Sequence, residues 1–188
     1  MAATLFSYIS LGFFHVFPWG LDHMLFVLCL LLPQTRLKPI LYACTLFTLA
    51  HSVSLGLAAL QIWVVDAKWI EPLITFSIFA QALQNLFLPN RWSLRMPILL
   101  AFGLIHGLGF ASALSEQALP ASDFFLSLFS FNVGVELAQI AFVCLIYFVI
   151  VRPFSNKMGY VSSFIRPANA LIATFAMCWT IARILSYP

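Results

Sequence analysis

Charge is what this chain has least of. Its 188 residues include nine Lys or Arg and six Asp or Glu, 8% in all, where a soluble domain carries about 25%. With 63% of its residues hydrophobic, a water-soluble fold is excluded and the membrane is the solvent. The net charge of +3 is small and dispersed, which excludes the basic face of a nucleic-acid binder. The cysteines Cys29, Cys44, Cys144 and Cys178 form no C-x-x-C pair and sit in separate apolar stretches, so they read as packing residues. There is no Walker-type phosphate loop, so no direct ATP coupling is expected. The N-terminus lacks the basic n-region of a signal peptide, and its apolar start reads as part of a first span.

What is present is a series of long apolar runs. Six stand out, at roughly 4–32, 39–64, 70–89, 97–116, 123–151 and 167–186, each near the ~20 residues a span needs. The expected fold is all-α: one transmembrane domain over 1–188, a polytopic bundle of about six helices. Prolines fall between or at the ends of these runs, at Pro33, Pro39, Pro72, Pro89, Pro97, Pro120, Pro153 and Pro167. Pro18 is the exception. With Trp19 and Gly20 it interrupts the first run, because proline removes a backbone donor and glycine relaxes the chain. A broken first helix follows, with Asp22 near the N-terminus of its second half, where a carboxylate can cap free amides. Residues 4–16 either span or re-enter.

Lys and Arg concentrate in alternate loops. Arg36 and Lys38, then Arg91 and Arg95, then Arg152, Lys157 and Arg166 belong to the first, third and fifth loops, whereas the second and fourth hold Lys68 alone. The positive-inside rule puts the odd loops in the cytoplasm and both termini outside. Arg183, near the outer end of the last span, is placed to snorkel to that interface. Glu71 opens the third span beside Pro72 and reads as a first-turn acid favoured by the helix dipole.

All four histidines, His15, His23, His51 and His106, lie inside apolar runs, as do Asp22 and Glu136. Charge at the bilayer centre costs roughly 2.5–3.5 kcal/mol per group on insertion scales. Imidazole with carboxylate suits divalent transition metals, so these six are the expected metal ligands, converging near mid-depth. Adjacent Asp22 and His23 diverge by about 100° on a helix, so one of them is a direct ligand and the other supports it. Supporting roles fall to Thr48 and Ser52 beside His51, and to Asn132 and Gln139, which make a polar stripe with Glu136. A similar stripe runs through Ser77, Gln81, Gln84 and Asn85. Gly103-x-x-x-Gly107 is a small-residue signature for close helix approach beside His106.

Shifting the chain by 55 residues lays Phe47, Leu49 and His51 on Phe102, Leu104 and His106, and Ser77, Gln81 and Gln84 on Asn132, Glu136 and Gln139. Spans two and three then repeat as spans four and five, with the site at the interface between repeats.

Four strings together carry a specific resemblance. They are Gly12-Phe-Phe-His15-Val-Phe-Pro-Trp-Gly20-Leu-Asp22-His23, Phe47-Thr-Leu-Ala-His51-Ser52, Phe102-Gly-Leu-Ile-His106-Gly107-Leu-Gly109-Phe-Ala and Phe131-Asn132-Val-Gly134-Val-Glu136. In order and spacing they resemble the HupE/UreJ family over most of the chain. That resemblance implies a bacterial inner-membrane protein, associated with hydrogenase or urease maturation and with nickel or cobalt permeation. It also implies that His15, Asp22, His23, His51, His106 and Glu136 occupy family-motif positions. The first string is also similar to the His-x4-Asp-His motif of nickel/cobalt transporters, with a gap of six residues here. Many relatives carry Glu where this chain has Gln84, which puts an acidic ligand at that position in doubt.

The expected function is a divalent metal permease whose partners are the ion (Ni, Co or Zn) and the lipid bilayer, with self-association left open. His15 and Asp22 would capture the ion from outside; His23, His51, His106 and Glu136 would hold it at the midplane. The alternative is an intramembrane zinc hydrolase acting on a lipid-like substrate, with three histidines activating water, Glu136 or Asp22 as base and Ser52 assisting. A proton relay and a metal sensor or accessory subunit rank below these.

Overall fold

The computed structural model describes residues 2–88, 92–116 and 123–187, without the side chains of 2–4, 92–95 and 111–116. Pro89, Arg91, Pro120 and Pro188, and the side chains of Arg95 and Glu116, lie outside the described residues. The described chain is helical, with no strand. Its helices are α1 (Ala2–Val16), α2 (Leu21–Leu31), α3 (Leu37–Ala59), α4 (Ala67–Phe87), α5 (Trp92–Glu116) and α6 (Phe124–Ile146), followed by a three-residue α7 (Arg152–Phe154) and α8 (Arg166–Ser186). Wide π turns at Tyr147–Val151 and Tyr160–Ile165 run into α7 and α8.

The six apolar runs thus become six rods, the first of them broken. Three are long and apolar enough to cross a membrane: Leu37–Ala59, Phe124–Phe154 and Tyr160–Ser186. The pair Leu5–Val16 and Leu21–Leu31, bent by 67°, makes a fourth when taken as one span. The helix α4 is long enough at 21 residues but is diluted by its polar stripe and its charged first turns. In α5 the described apolar part is Met96–Phe110.

The break falls where Pro18 requires it. The chain leaves α1 at Val16 and re-enters helix at Leu21. A Cβ on Gly20 would collide with the His15 carbonyl oxygen, so the turn closes only around glycine. Several other prolines sit inside helices rather than between them. Pro72 and Pro97 lie in the first two turns of α4 and α5. Pro153 and Pro167 each follow a π turn that carries the helix through them. A π turn changes the hydrogen-bond register just where the proline has no N–H to give.

Helices α3 and α5 pack on each other. Helix α6 packs on α3 and α4 on α5; α1 covers α6 as α8 covers α4. Glycines set the closest approaches. A Cβ on Gly103 would lie 2.8 Å from the Phe47 oxygen, and one on Gly134 2.8 Å from the Phe13 amide nitrogen. Phe26, Phe47, Ile78, Leu99 and Ala176 form the main apolar core between α2, α3, α4, α5 and α8. Large apolar side chains such as Phe6, Trp19, Leu49, Phe125, Phe129 and Leu171 point outward, as a lipid-facing surface does. The four cysteines are free thiols.

Candidate metal centre

Helices α1, α2, α3 and α5 each bring one histidine to a common point. His23, the first-turn histidine of α2, is the hub. Its ring centroid lies 4.8 Å from His15, 4.9 Å from His106 and 5.7 Å from His51. One ligand atom from each of His15, His23 and His51 falls within 4.8 Å of the others; the same holds for Asp22, His23 and His106. Ligands of a tetrahedral ion bound at roughly 2.0–2.1 Å stand about 3.3 Å apart, so closure onto a cation needs movements of an ångström or so.

Hydrogen bonds decide which nitrogens are free. His23 Nδ1 lies 3.0 Å from Asp22 Oδ1, whose carboxylate also accepts the His23 amide at 2.8 Å. Nδ1–H donates to the carboxylate, so Nε2 carries the bare lone pair, buried and without a partner. Ser77 Oγ stands 2.6 Å from the Ile74 carbonyl and 3.0 Å from His106 Nε2. A carbonyl only accepts, so the serine proton goes there and the serine oxygen accepts from Nε2–H. His106 Nδ1 is then the bare nitrogen, again buried and unpartnered. His15 Nε2 and both nitrogens of His51 are in the same condition. A buried polar atom without a partner costs about 1–3 kcal/mol. A neutral imidazole has one bare nitrogen, so each of the four histidines can offer one to a cation, and the Asp22 carboxylate behind His23 and the Ser77 hydroxyl behind His106 are the kind of support metal sites give their ligands.

The surroundings keep this point dry. Phe26 and Phe47 pack on His106 at 5.5 and 5.2 Å. His15 lies 3.9 Å from Phe110, which stacks on Phe131 at 4.9 Å. On one side a cavity of about 130 Å³ reaches Asp22, His23 and His106 and ends among Glu71, Trp179 and Arg183. Glu71 and Arg183, read from sequence as a dipole acid and a snorkelling cation, are paired with each other across α4 and α8. Arg183 also lies 5.8 Å from the Trp179 ring.

The structure thus brings together His15, Asp22, His23, His51 and His106. Glu136 stands apart from them: its carboxylate is held by the hydroxyls of Thr45 and Thr48, each at 2.6 Å. Gln139 donates to Thr48 at 3.2 Å, so Thr48 and Gln139 are tied to Glu136, while Ser52 donates to the Thr48 carbonyl within α3. Asn132 lies beside His51 and donates to the Leu128 carbonyl. Gln81 donates to Gln84 and Asn85, and Asn85 to the Cys29 carbonyl and to Asn169. That network ties α2, α4 and α8 together. Ser77 was visible on the α4 stripe, but its role was not. Thr45, four residues below Leu49 on α3, gave no signal beyond its spacing from Thr48.

These features define a class: a membrane helix bundle built around a buried histidine-rich point. The chain belongs to the HupE/UreJ family, whose model, described as HupE / UreJ protein, matches residues 1–183. It is thereby a multi-pass membrane protein of a family linked to nickel and cobalt handling. No curated protein and no solved structure matches the chain.

Proposed function

We propose that the protein is a permease for a divalent transition metal, with the ion as cargo at the histidine cluster. One observation carries this reading: unpartnered ring nitrogens of four histidines from four helices meet beside Asp22. Imidazole donors suit Ni, Co and Zn. The ion enters through the cavity bounded by Glu71 and Arg183, passes Asp22 and is bound by His15, His23, His51 and His106. Asp22 keeps His23 in the ligating tautomer and supplies negative charge in a low dielectric. Five of the six expected ligand residues have a part in this scheme; Glu136 is left out of it. The orientation proposed is that of the bacterial inner membrane with both termini outside, so the cavity opens outward. A link to hydrogenase or urease maturation belongs to the same reading.

The hydrolase alternative calls for a lipid-side opening onto the metal. One cavity on the outer surface of α3 and α6 is lined by Glu136, Thr45, Ser52 and Phe129, with no histidine in its lining, which supports transport over hydrolysis. The test is flux into proteoliposomes that enclose a metal-sensitive dye, with Ni²⁺, Co²⁺ and Zn²⁺ supplied separately. Saturable uptake that disappears in His51→Ala is the expected result. Equal flux in wild type and His51→Ala refutes the scheme.

A further inference from the structure

The segment that joins α6 to α8 forms a second cavity, away from the histidines. Ile150 and Phe154 line it from the π turn and α7 that extend α6; Tyr160 and Phe164 line it from the π turn that leads into α8. Its volume is about 350 Å³, and the side chains around it are aliphatic or aromatic apart from Lys157 and Ser163. Phe154 and Phe164 are both exposed there. On a membrane protein, hydrocarbon chains rather than water cover such a wall.

Lys157 gives this apolar groove a charge. Its ammonium lies 4.5 Å from the Phe154 ring centroid, a cation–π contact that keeps it beside the groove wall. No carboxylate pairs with Lys157, Arg152 or Arg166 among the described residues. The Tyr147 hydroxyl donates to the Thr35 carbonyl, so the first loop, with Arg36 and Lys38, reaches the same end of the bundle. Neither 32–38 nor 147–166 contains an acid. The protein therefore leaves the Lys157 charge to be neutralised from outside. A zwitterionic lipid head brings its own cation with its phosphate, whereas an anionic head brings net negative charge to a basic segment.

We propose that the groove between the end of α6 and the start of α8 binds one anionic phospholipid, with an acyl chain between Phe154 and Phe164 and the phosphate on Lys157 and the Ser163 hydroxyl. The site shares no residue with the histidine cluster and does not rest on the permease reading. The test is native mass spectrometry of the full chain in detergent, titrated separately with phosphatidylglycerol and phosphatidylcholine of identical acyl chains. One phosphatidylglycerol is expected to bind ahead of the rest, about fivefold or more tighter than phosphatidylcholine. Lys157→Gln should lower that affinity about fivefold, whereas Lys38→Gln, which removes the same charge outside the groove, should change it less than about twofold. Ser163→Trp, which fills the groove and keeps Lys157, should abolish the preferred binding, and it carries the test if Lys157→Gln does not fold. Equal affinity for the two lipids, equal losses in Lys157→Gln and Lys38→Gln, or undiminished binding in a folded Ser163→Trp overturns the proposal. So does a lipid-free dimer that Ser163→Trp dissociates, since the groove is then a contact between copies of this chain.

Discussion

Asp22→Asn separates two roles that the family motif leaves merged. Both hydrogen bonds to Asp22 come from His23: the backbone amide at 2.8 Å and the Nδ1 proton at 3.0 Å. Asparagine keeps an oxygen for the amide, so the first turn of α2 survives. It removes the charge that holds the Nδ1 proton and that strengthens His23 Nε2 as a donor. Loss of such a supporting carboxylate costs about 10–100-fold in metal affinity, or about 1.4–2.7 kcal/mol. Stability of the metal-free protein should hold or rise slightly, because an intramembrane anion is removed.

The assay is calorimetric titration of Ni²⁺ into detergent-solubilised protein, with thermal unfolding of the metal-free form alongside. Binding within about twofold of wild type would mean that Asp22 does not tune the site. Loss beyond about a thousandfold (~4 kcal/mol) in a folded protein would make Asp22 a direct ligand and refute the division of labour argued above. Asp22→Glu discriminates further. Its longer arm cannot keep both hydrogen bonds to the adjacent residue, so it should behave like Asp22→Asn if geometry matters, and like wild type if only charge does.

Ser77→Ala leaves the His106 Nε2 proton unsatisfied and its tautomer unspecified; about 1–3 kcal/mol of stability and about tenfold in metal affinity should be lost, read by thermal unfolding and Ni²⁺ titration. Gly107→Ala places a Cβ against the His51 carbonyl and the Ser54 hydroxyl. It should cost about 1–3 kcal/mol by overpacking and weaken metal binding as well, since α3 and α5 carry His51 and His106. Arg183→Gln frees Glu71 at the cavity mouth and should raise initial uptake up to about tenfold at low ionic strength; Glu71→Gln should lower it, and salt should erase both differences in a flux assay. Metal binding needs neutral imidazoles, so affinity should fall once the pH is low enough to protonate them, and only there should binding release protons, seen as a heat of binding that becomes buffer-dependent at acidic pH.

The histidine cluster was legible because each member stands out against an apolar run, and similar depth in four helices leaves little room except a shared centre. The broken first helix was legible from Pro18 and Gly20 for the same local reason. Depth, however, does not fix direction. Glu136 lies near the middle of its apolar run, as His51 and His106 do, but its stripe on α6 meets Thr45 and Thr48 on α3. Those residues lie about 4.5–9 Å along the helix axis from His51 at 1.5 Å per residue. The partner residue was therefore a matter of register between two helices, which spacing within either one does not contain. The polar stripe on α4 divides for a related reason. Ser77 at its upper end reaches His106, while Asn85, which accepts from Gln81, reaches α2 and α8. One stripe serves two neighbours because the helix passes from one to the other along its length.

What sequence spacing could not supply, glycine does. Four imidazoles on four helices meet only if the backbones approach more closely than ordinary side chains allow. Gly103 and Gly107 bring α5 onto α3 at the Phe47 and His51 carbonyls. Gly12 and Gly134 do the same for α1 and α6, meeting Phe131 and Ile9 backbone oxygens, and this seats His15 beside Phe131 and Phe110. Gly20 then turns the chain so that His23 enters between them. A helix pair held at the usual 8–10 Å separation by larger residues would retain every histidine at its proper depth and still leave the ring nitrogens too far apart for one ion. The glycines that flank the histidines in the family strings are accordingly part of the candidate metal centre in the physical sense: they determine a distance, as the imidazoles determine the chemistry.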